Sequence, residues 1–336
     1  MMLIHTGIKS IIIAIEYSVK STKKTLKKIG LLVPIIISVY LTGCIYSGPS
    51  ESGYFDKVAD KSLMKKDGND KLSINWVAFQ NKHKNTVISI DAEATVNIHY
   101  VETGDKDKVA VLFVHGTPGS WDNFWKYLLI KPLKDKAHLV SVDRPGWGDS
   151  SCKKPTGESC FFPILKTQSR YLSTLISKLS QKKHNKGVIL VGWSLGGPLI
   201  AQLAYDNPET IKSLIFIAAP FDARLSYPRW YNRLSQMFSW FVPEEIKKAN
   251  DEMLPLADQL KQMEPVWSSI EVPVWIIQGS KDDLVDPKNI DFAKTIFRQN
   301  TASFIQLPEN GHLIVWEKRS IVVESILQAI RFTKKE

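Results

Sequence analysis

Apolar residues fall into short continuous runs, at 109–114, 137–142, 188–191, 214–218, 274–277 and 303–307. A run of four to eight such residues without alternation predicts a strand covered on both faces, as in a parallel sheet. Upstream, residues 86–90 and 94–103 alternate apolar with polar around Asp91-Ala92-Glu93. That pattern predicts an antiparallel hairpin. Helical spacing fills most of the intervals, at 122–129, 163–179, 195–205, 287–298 and 316–332. Strands that alternate with helices predict an α/β fold, here with about eight mostly parallel strands flanked by helices.

One interval breaks the alternation. Residues 221–270 contain no strand candidate, but they hold Tyr227, Trp230, Tyr231, Phe238, Trp240, Phe241 and Trp267. The interval reads as a helical insertion after the sixth strand. It is expected to act as a lid over an apolar pocket, with some of its aromatics packing on the body. The core then divides into residues 73–220 and 271–336.

The N-terminus follows a different pattern. Lys20, Lys23, Lys24, Lys27 and Lys28 precede an uncharged apolar run at 29–40, which ends in Leu41-Thr42-Gly43-Cys44. A basic region, a short apolar region and a small-residue site read as an export signal. The last four residues resemble the lipobox of bacterial lipoproteins. The resemblance implies a signal peptide at 1–43, cleavage before Cys44 and a lipid on the Cys44 thiol. It also implies a polar tether at 44–72 and a place at the membrane of the bacterial envelope, outside the cytoplasm. An uncleaved anchor is the alternative, although residues 29–43 fall short of the ~20 needed to span a bilayer.

Charge adds little to this picture. The formal net charge is +10, and residues 1–43 contribute six Lys and one Glu to it. The remaining lysines are scattered rather than striped, and no nucleic-acid motif is present, so no nucleic-acid partner is expected. Of the three cysteines, Cys152 and Cys160 remain beside Cys44. In an exported chain they can form a disulfide or stay as neighbouring thiols.

Five motifs follow predicted strands, where ligands gather in open α/β sheets. Gly192-Trp193-Ser194-Leu195-Gly196-Gly197 follows the run at 188–191 and opens a helix. A serine between glycines in a strand–turn–helix context predicts a sharp turn that exposes the Ser194 hydroxyl at a positive helix end. His115-Gly116-Thr117-Pro118-Gly119 follows 109–114. The amides of Thr117 and Leu195 would form an oxyanion hole, while Pro118 has no N–H to offer. His115 is expected to orient this loop rather than act as a base. Asp143 and Arg144, after 137–142, are expected to shape a pocket wall. Lys281-Asp282-Asp283 and Asp286 follow 274–277 and supply three carboxylates. Asp282 is the candidate to orient a histidine, with Asp283 and Asp286 as alternatives and Asp222 more remote. His312 follows 303–307 and is the candidate base.

Together HGTPGS at 115–120, DRPGWGDS at 143–150, GWSLGG at 192–197, GSKDDLVDP at 279–287 and GH at 311–312 resemble the α/β-hydrolase fold family. The resemblance covers residues 74–332. It implies Ser194 as nucleophile, His312 as base and Asp282 as acid, acting on esters of small molecules through an acyl-enzyme. Amides, lactones or acyl transfer would use the same three groups, and a non-catalytic binding protein would need none of them. The epoxide hydrolase and haloalkane dehalogenase branches carry Asp where Ser194 stands. The proline iminopeptidases differ from HGTPG by one residue. No metal or organic cofactor is implied, and no metal-ligand cluster has recognisable spacing.

Overall fold

The computed structural model describes residues 51–333, apart from 52, 67–71, 76–78, 81, 91–93, 181–186, 238–239, 241 and 298–300. The expected signal peptide, Cys44, the first residues of the tether and the hairpin turn lie outside the described residues, as do Phe238 and Phe241.

Nine strands form one sheet. In chain order they are β3 (His83–Ile90), β4 (Ala94–Gly104), β5 (Ala110–Val114), β6 (His138–Val142), β7 (Ser151–Lys153), β8 (Val188–Trp193), β9 (Ile211–Ile217), β10 (Val274–Gly279) and β11 (Ala302–Leu307). The spatial order is β11-β10-β9-β8-β5-β6-β4-β3, with β7 also on β4. Strands β5, β6 and β8 to β11 pair in parallel, and β4 pairs antiparallel with β3, β6 and β7. The architecture is the expected α/β one, with one more strand than the apolar runs indicate. Strand β7 is only three residues long and mostly exposed, so it leaves no apolar run to read. A separate antiparallel pair joins β1 (Met64–Lys66) to β2 (Leu72–Ile74).

Five of the six unalternating strands are buried on both faces because each face meets its own core; β11, at the sheet edge, leaves Ser303 and Gln306 exposed. On β5, Ala110, Leu112 and Val114 enter one apolar cluster, and Val111 and Phe113 enter the other. Strand β8 divides likewise, Val188 and Leu190 against Ile189, Val191 and Trp193. Such alternation is what a two-residue side-chain period produces in a sheet covered on both sides.

Helices among the described residues cover the sheet. They are α1 (Tyr54–Val58), α2 (Lys131–Lys134), α3 (Leu165–Ser180), α4 (Gly196–Asp206) and, between β9 and β10, α5 (Trp230–Met237) at the head of the insertion. The insertion continues with α6 (Glu244–Met253), α7 (Leu256–Gln262) and α8 (Glu264–Ser268); α9 (Asn289–Ile296), α10 (Ile314–Glu317) and α11 (Arg319–Phe332) follow. Leu256, Leu260, Val266 and Trp267 join the α3–α4 core, whereas Tyr227 and Trp240 are exposed. The aromatics of the insertion therefore divide between packing and surface.

Two local expectations give way. The segment at 122–129 forms two 3₁₀ turns, Trp121–Phe124 and Tyr127–Leu129, rather than one helix. Tyr127, Leu128, Leu129 and Ile130 are consecutive and all fully buried, so the second half of the segment has no polar face for a surface helix to present. Among the described residues, Glu51, Phe55, Ala59 and Leu63 of the stretch expected as a tether belong to the body. Phe55, Ala59 and Leu63 are buried in the second core, and the Glu51 carboxylate accepts from the Ser320 amide at 2.9 Å. Three apolar side chains spaced four apart outweighed the polar composition around them.

Strands β4 and β6 are also tied by charge. The Glu102 carboxylate pairs with His138 Nε2 at 2.8 Å and with the Lys106 ammonium. Burial pushes this carboxyl up, but the hydrogen bonds and charges of His138 and Lys106 more than offset it and hold it at about 2. A depressed carboxyl stabilises the fold above the unfolded value of 4.5 and loses that contribution as pH falls toward about 2. Glu102→Gln should therefore flatten the acid side of a urea-midpoint-versus-pH curve between those values.

Candidate active site

The strand ends of β5, β8, β10 and β11 deliver four loops to one edge of the sheet. Ser194 follows β8 with φ of +54°, a left-handed conformation that a serine adopts only when its surroundings impose it. Here the imposition is local. The Ser194 amide donates to the Ile217 carbonyl at 2.9 Å, and the Gly197 amide donates to the Ser194 carbonyl at 2.8 Å. The turn leaves no room at Gly192, where a Cβ would collide with the Gly196 backbone. Ser194 is partly exposed, and α4 begins two residues later.

The loop after β5 lies directly against the serine. A Cβ on Gly116 would stand 2.9 Å from Ser194 Cβ and 3.5 Å from its Oγ. Among the described residues, neither the Thr117 nor the Leu195 amide donates a hydrogen bond. His115 is fully buried and serves this loop. Its Nδ1 donates to the Gly116 carbonyl at 2.8 Å, and its Nε2 accepts from the Arg144 amide at 3.0 Å. Burial, helped by the Arg144 charge, pushes the imidazole well below the ordinary histidine range, so it is neutral and both nitrogens are engaged.

His312 and Asp282 pair with one another, and the His312 ring lies 5.4 Å from that of Trp193, the residue before Ser194. His312 Nδ1 lies 2.9 Å from Asp282 Oδ2, and both side chains are buried. Asp282 also accepts from the Leu284 and Val285 amides at 2.9 and 2.8 Å and from Gln278 Nε2 at 3.1 Å. The other carboxylates are placed elsewhere. Asp283 is exposed, Asp286 accepts from the Lys288 amide at the start of α9, and Asp222 is paired with Arg224 at 2.7 Å.

Three side chains that sequence reasoning missed hold these groups. Trp193 Nε1 donates to the His312 carbonyl at 3.2 Å, with the two rings 5.4 Å apart. Gln278 is a polar residue in an otherwise apolar strand, a signal that was available. Arg144 and Glu252 form a bidentate ion pair at 2.5 and 3.0 Å, with both side chains fully buried. Arg144 also donates to the Gly116 carbonyl at 2.8 Å and to Gln168 at 2.9 Å, and Trp147 Nε1 donates to Glu252 at 3.2 Å. Arg144 thus braces the loop beside Ser194 and anchors α6. The neighbouring Asp143 accepts from the Trp121 and Asp149 amides at 2.6 and 2.9 Å. Cys152 and Cys160 form a disulfide that closes the loop beyond.

The sheet order, the left-handed serine after β8 and the paired acid and histidine after β10 and β11 are those of the α/β-hydrolase fold. The family described as alpha/beta hydrolase fold matches residues 109–250. Epoxide hydrolase 1 of Caenorhabditis elegans is 27% identical over 69% of this chain and 54% of its own length. Pimeloyl-[acyl-carrier protein] methyl ester esterase of Proteus mirabilis is 30% identical over 40% of this chain and 46% of its own. The chain thus spans about half the length of these curated relatives. Among solved structures, a putative aryl esterase from Burkholderia cenocepacia aligns over 75% of this chain and all of its own, at a TM-score of 0.57 and 18% identity. That likeness concerns the fold alone.

Proposed function

We propose that the chain is a serine hydrolase that cleaves carboxylic esters of small molecules through an acyl-enzyme. The observation that carries the reading is the buried Asp282–His312 pair at the same sheet edge as a serine held in left-handed backbone. Asp282 engages Nδ1 of His312, which leaves Nε2 to take the Ser194 proton as the oxygen attacks the acyl carbon. The Thr117 and Leu195 amides would hold the oxyanion. His312 then returns the proton to the leaving alcohol, and a water activated by the same nitrogen releases the acid and restores Ser194. Exposed and buried aromatics of the insertion support an apolar acyl or alcohol group in the substrate.

The relatives named epoxide hydrolases support hydrolysis as the reaction class. Ser194 favours acyl chemistry over epoxide opening, because the epoxide hydrolase branch carries Asp at that position. The test is labelling of the chain by a fluorophosphonate, together with a chain-length series of aryl esters and a panel of amides, lactones and aryl epoxides. Labelling at Ser194 with ester turnover supports the proposal. Epoxide turnover without labelling would replace it.

The β5 loop offers a second check. Gly116→Ala should drive the Thr117 amide away from Ser194, since the new methyl would stand 2.9 Å from Ser194 Cβ. Loss of one oxyanion donor predicts a fall in kcat of roughly 10²-fold or more with a smaller change in KM. Steady-state kinetics on the best aryl ester reads it directly.

A further inference from the structure

On the β3–β4 side of the sheet, beyond β6 from the strand that carries Ser194, three side chains with metal-binding atoms converge. They are His83 on β3, His99 on β4 and Asp149 in the loop after β6, and their ligand atoms all lie within 4.8 Å of one another. Their sequence separations match no metal-binding motif, and only the strand pairing brings them together.

His99 sets the geometry. Its Nδ1 lies 2.7 Å from the buried Asp143 Oδ2, so that nitrogen carries the proton and donates it. The Nε2 lone pair is then directed outward, 3.0 Å from His83 Nδ1. A carboxylate that fixes the far nitrogen of an imidazole is the recurrent outer support of a metal-binding histidine. Asp149 Oδ2 stands 4.0 Å from the same Nε2, and its side chain is 74% exposed, so it can swing inward freely. Its amide is already fixed, because it donates to the same Asp143 oxygen at 2.9 Å.

We propose that His83, His99 and Asp149 bind a divalent transition metal of the zinc type, with water completing the coordination. Two imidazole nitrogens on a tetrahedral zinc stand about 3.3 Å apart, at bonds of about 2.0–2.1 Å. The observed 3.0 Å needs only a few tenths of an ångström of opening. Two imidazoles and one carboxylate suit zinc, nickel or copper better than magnesium or calcium. No step of the ester reaction passes through this site. The ion would fasten the β3–β4 hairpin to the loop after β6, whose Asp143 and Arg144 lead on to the His115 loop. Its role is stability through binding to the folded chain only.

The experiment is titration of the purified full chain with Zn²⁺ against a chromophoric zinc competitor, with thermal melting followed in parallel. One equivalent bound, a raised Tm with Zn²⁺ and none with Mg²⁺ are expected. His83→Ala and Asp149→Asn should each lower zinc affinity by roughly 10-fold or more and remove the Tm rise. Asp149→Asn alters only an exposed side chain, so its metal-free melting should match the parent and exclude a folding defect. Failure of the parent chain to bind Zn²⁺, or equal binding in both variants, would overturn the proposal and leave the two histidines as a hydrogen-bonded pair. Neither outcome bears on Ser194, whose labelling is measured separately.

Discussion

Ser194→Ala is expected to fold like the parent, keep a similar Tm and lose ester hydrolysis by roughly 10⁴-fold or more. The substitution removes one hydroxyl from a partly exposed side chain and leaves the backbone bonds to Ile217 and Gly197 in place. Alanine at φ of +54° carries the same strain as serine, so the turn keeps its shape and its cost. Stability and turnover are thereby separated, which few substitutions at a strained position allow. The residual rate should come from the Thr117 and Leu195 amides and from substrate binding alone. Fluorophosphonate labelling should vanish in the same variant. Undiminished turnover with a normal melt would remove Ser194 from the reaction and with it the acyl-enzyme.

The groups around Ser194 were legible in sequence because each follows an apolar run. A strand buried on both faces advertises itself, and its carboxyl end marks where a loop meets the site. Asp282 could be preferred among neighbouring carboxylates by position, but only the fold separates their duties. Asp286 turns to the start of α9, and Asp283 faces solvent. What stayed hidden depends on contacts between distant segments. Arg144 meets Glu252 across 108 positions, and Trp193 meets His312 across 119. Nothing in the local composition of α6 distinguishes Glu252 from the exposed acids beside it. The 51–63 segment shows the same limit from the other side. Phe55, Ala59 and Leu63 are too few to mark a periodic element, yet they suffice to join it to the core, with Phe55 edge-on to Trp125.

Glu252→Ala is expected to destabilise the fold by about 3–5 kcal/mol, because it leaves a fully buried guanidinium without its counter-charge. Urea denaturation of the variant against the parent measures it. Glu252→Gln should fall between the two, since its amide keeps the shape and one acceptor for Arg144 and Trp147. The same change should reach the chemistry. Arg144 donates to the Gly116 carbonyl while its amide holds His115, so loss of its anchor loosens the loop that carries the Thr117 amide. That coupling predicts a fall in kcat larger than the rise in KM, which simple widening of a pocket would reverse. It also constrains how substrate enters. The insertion is bolted through α6 to the loops beneath it and through Leu256, Leu260 and Trp267 to the core. An opening for substrate is therefore expected ahead of α6, around the exposed Tyr227 and Met237, and not by lifting the insertion as a unit. In the parent, limited proteolysis should cut before α6 and spare it. In Glu252→Ala, α6 itself should become a cleavage site.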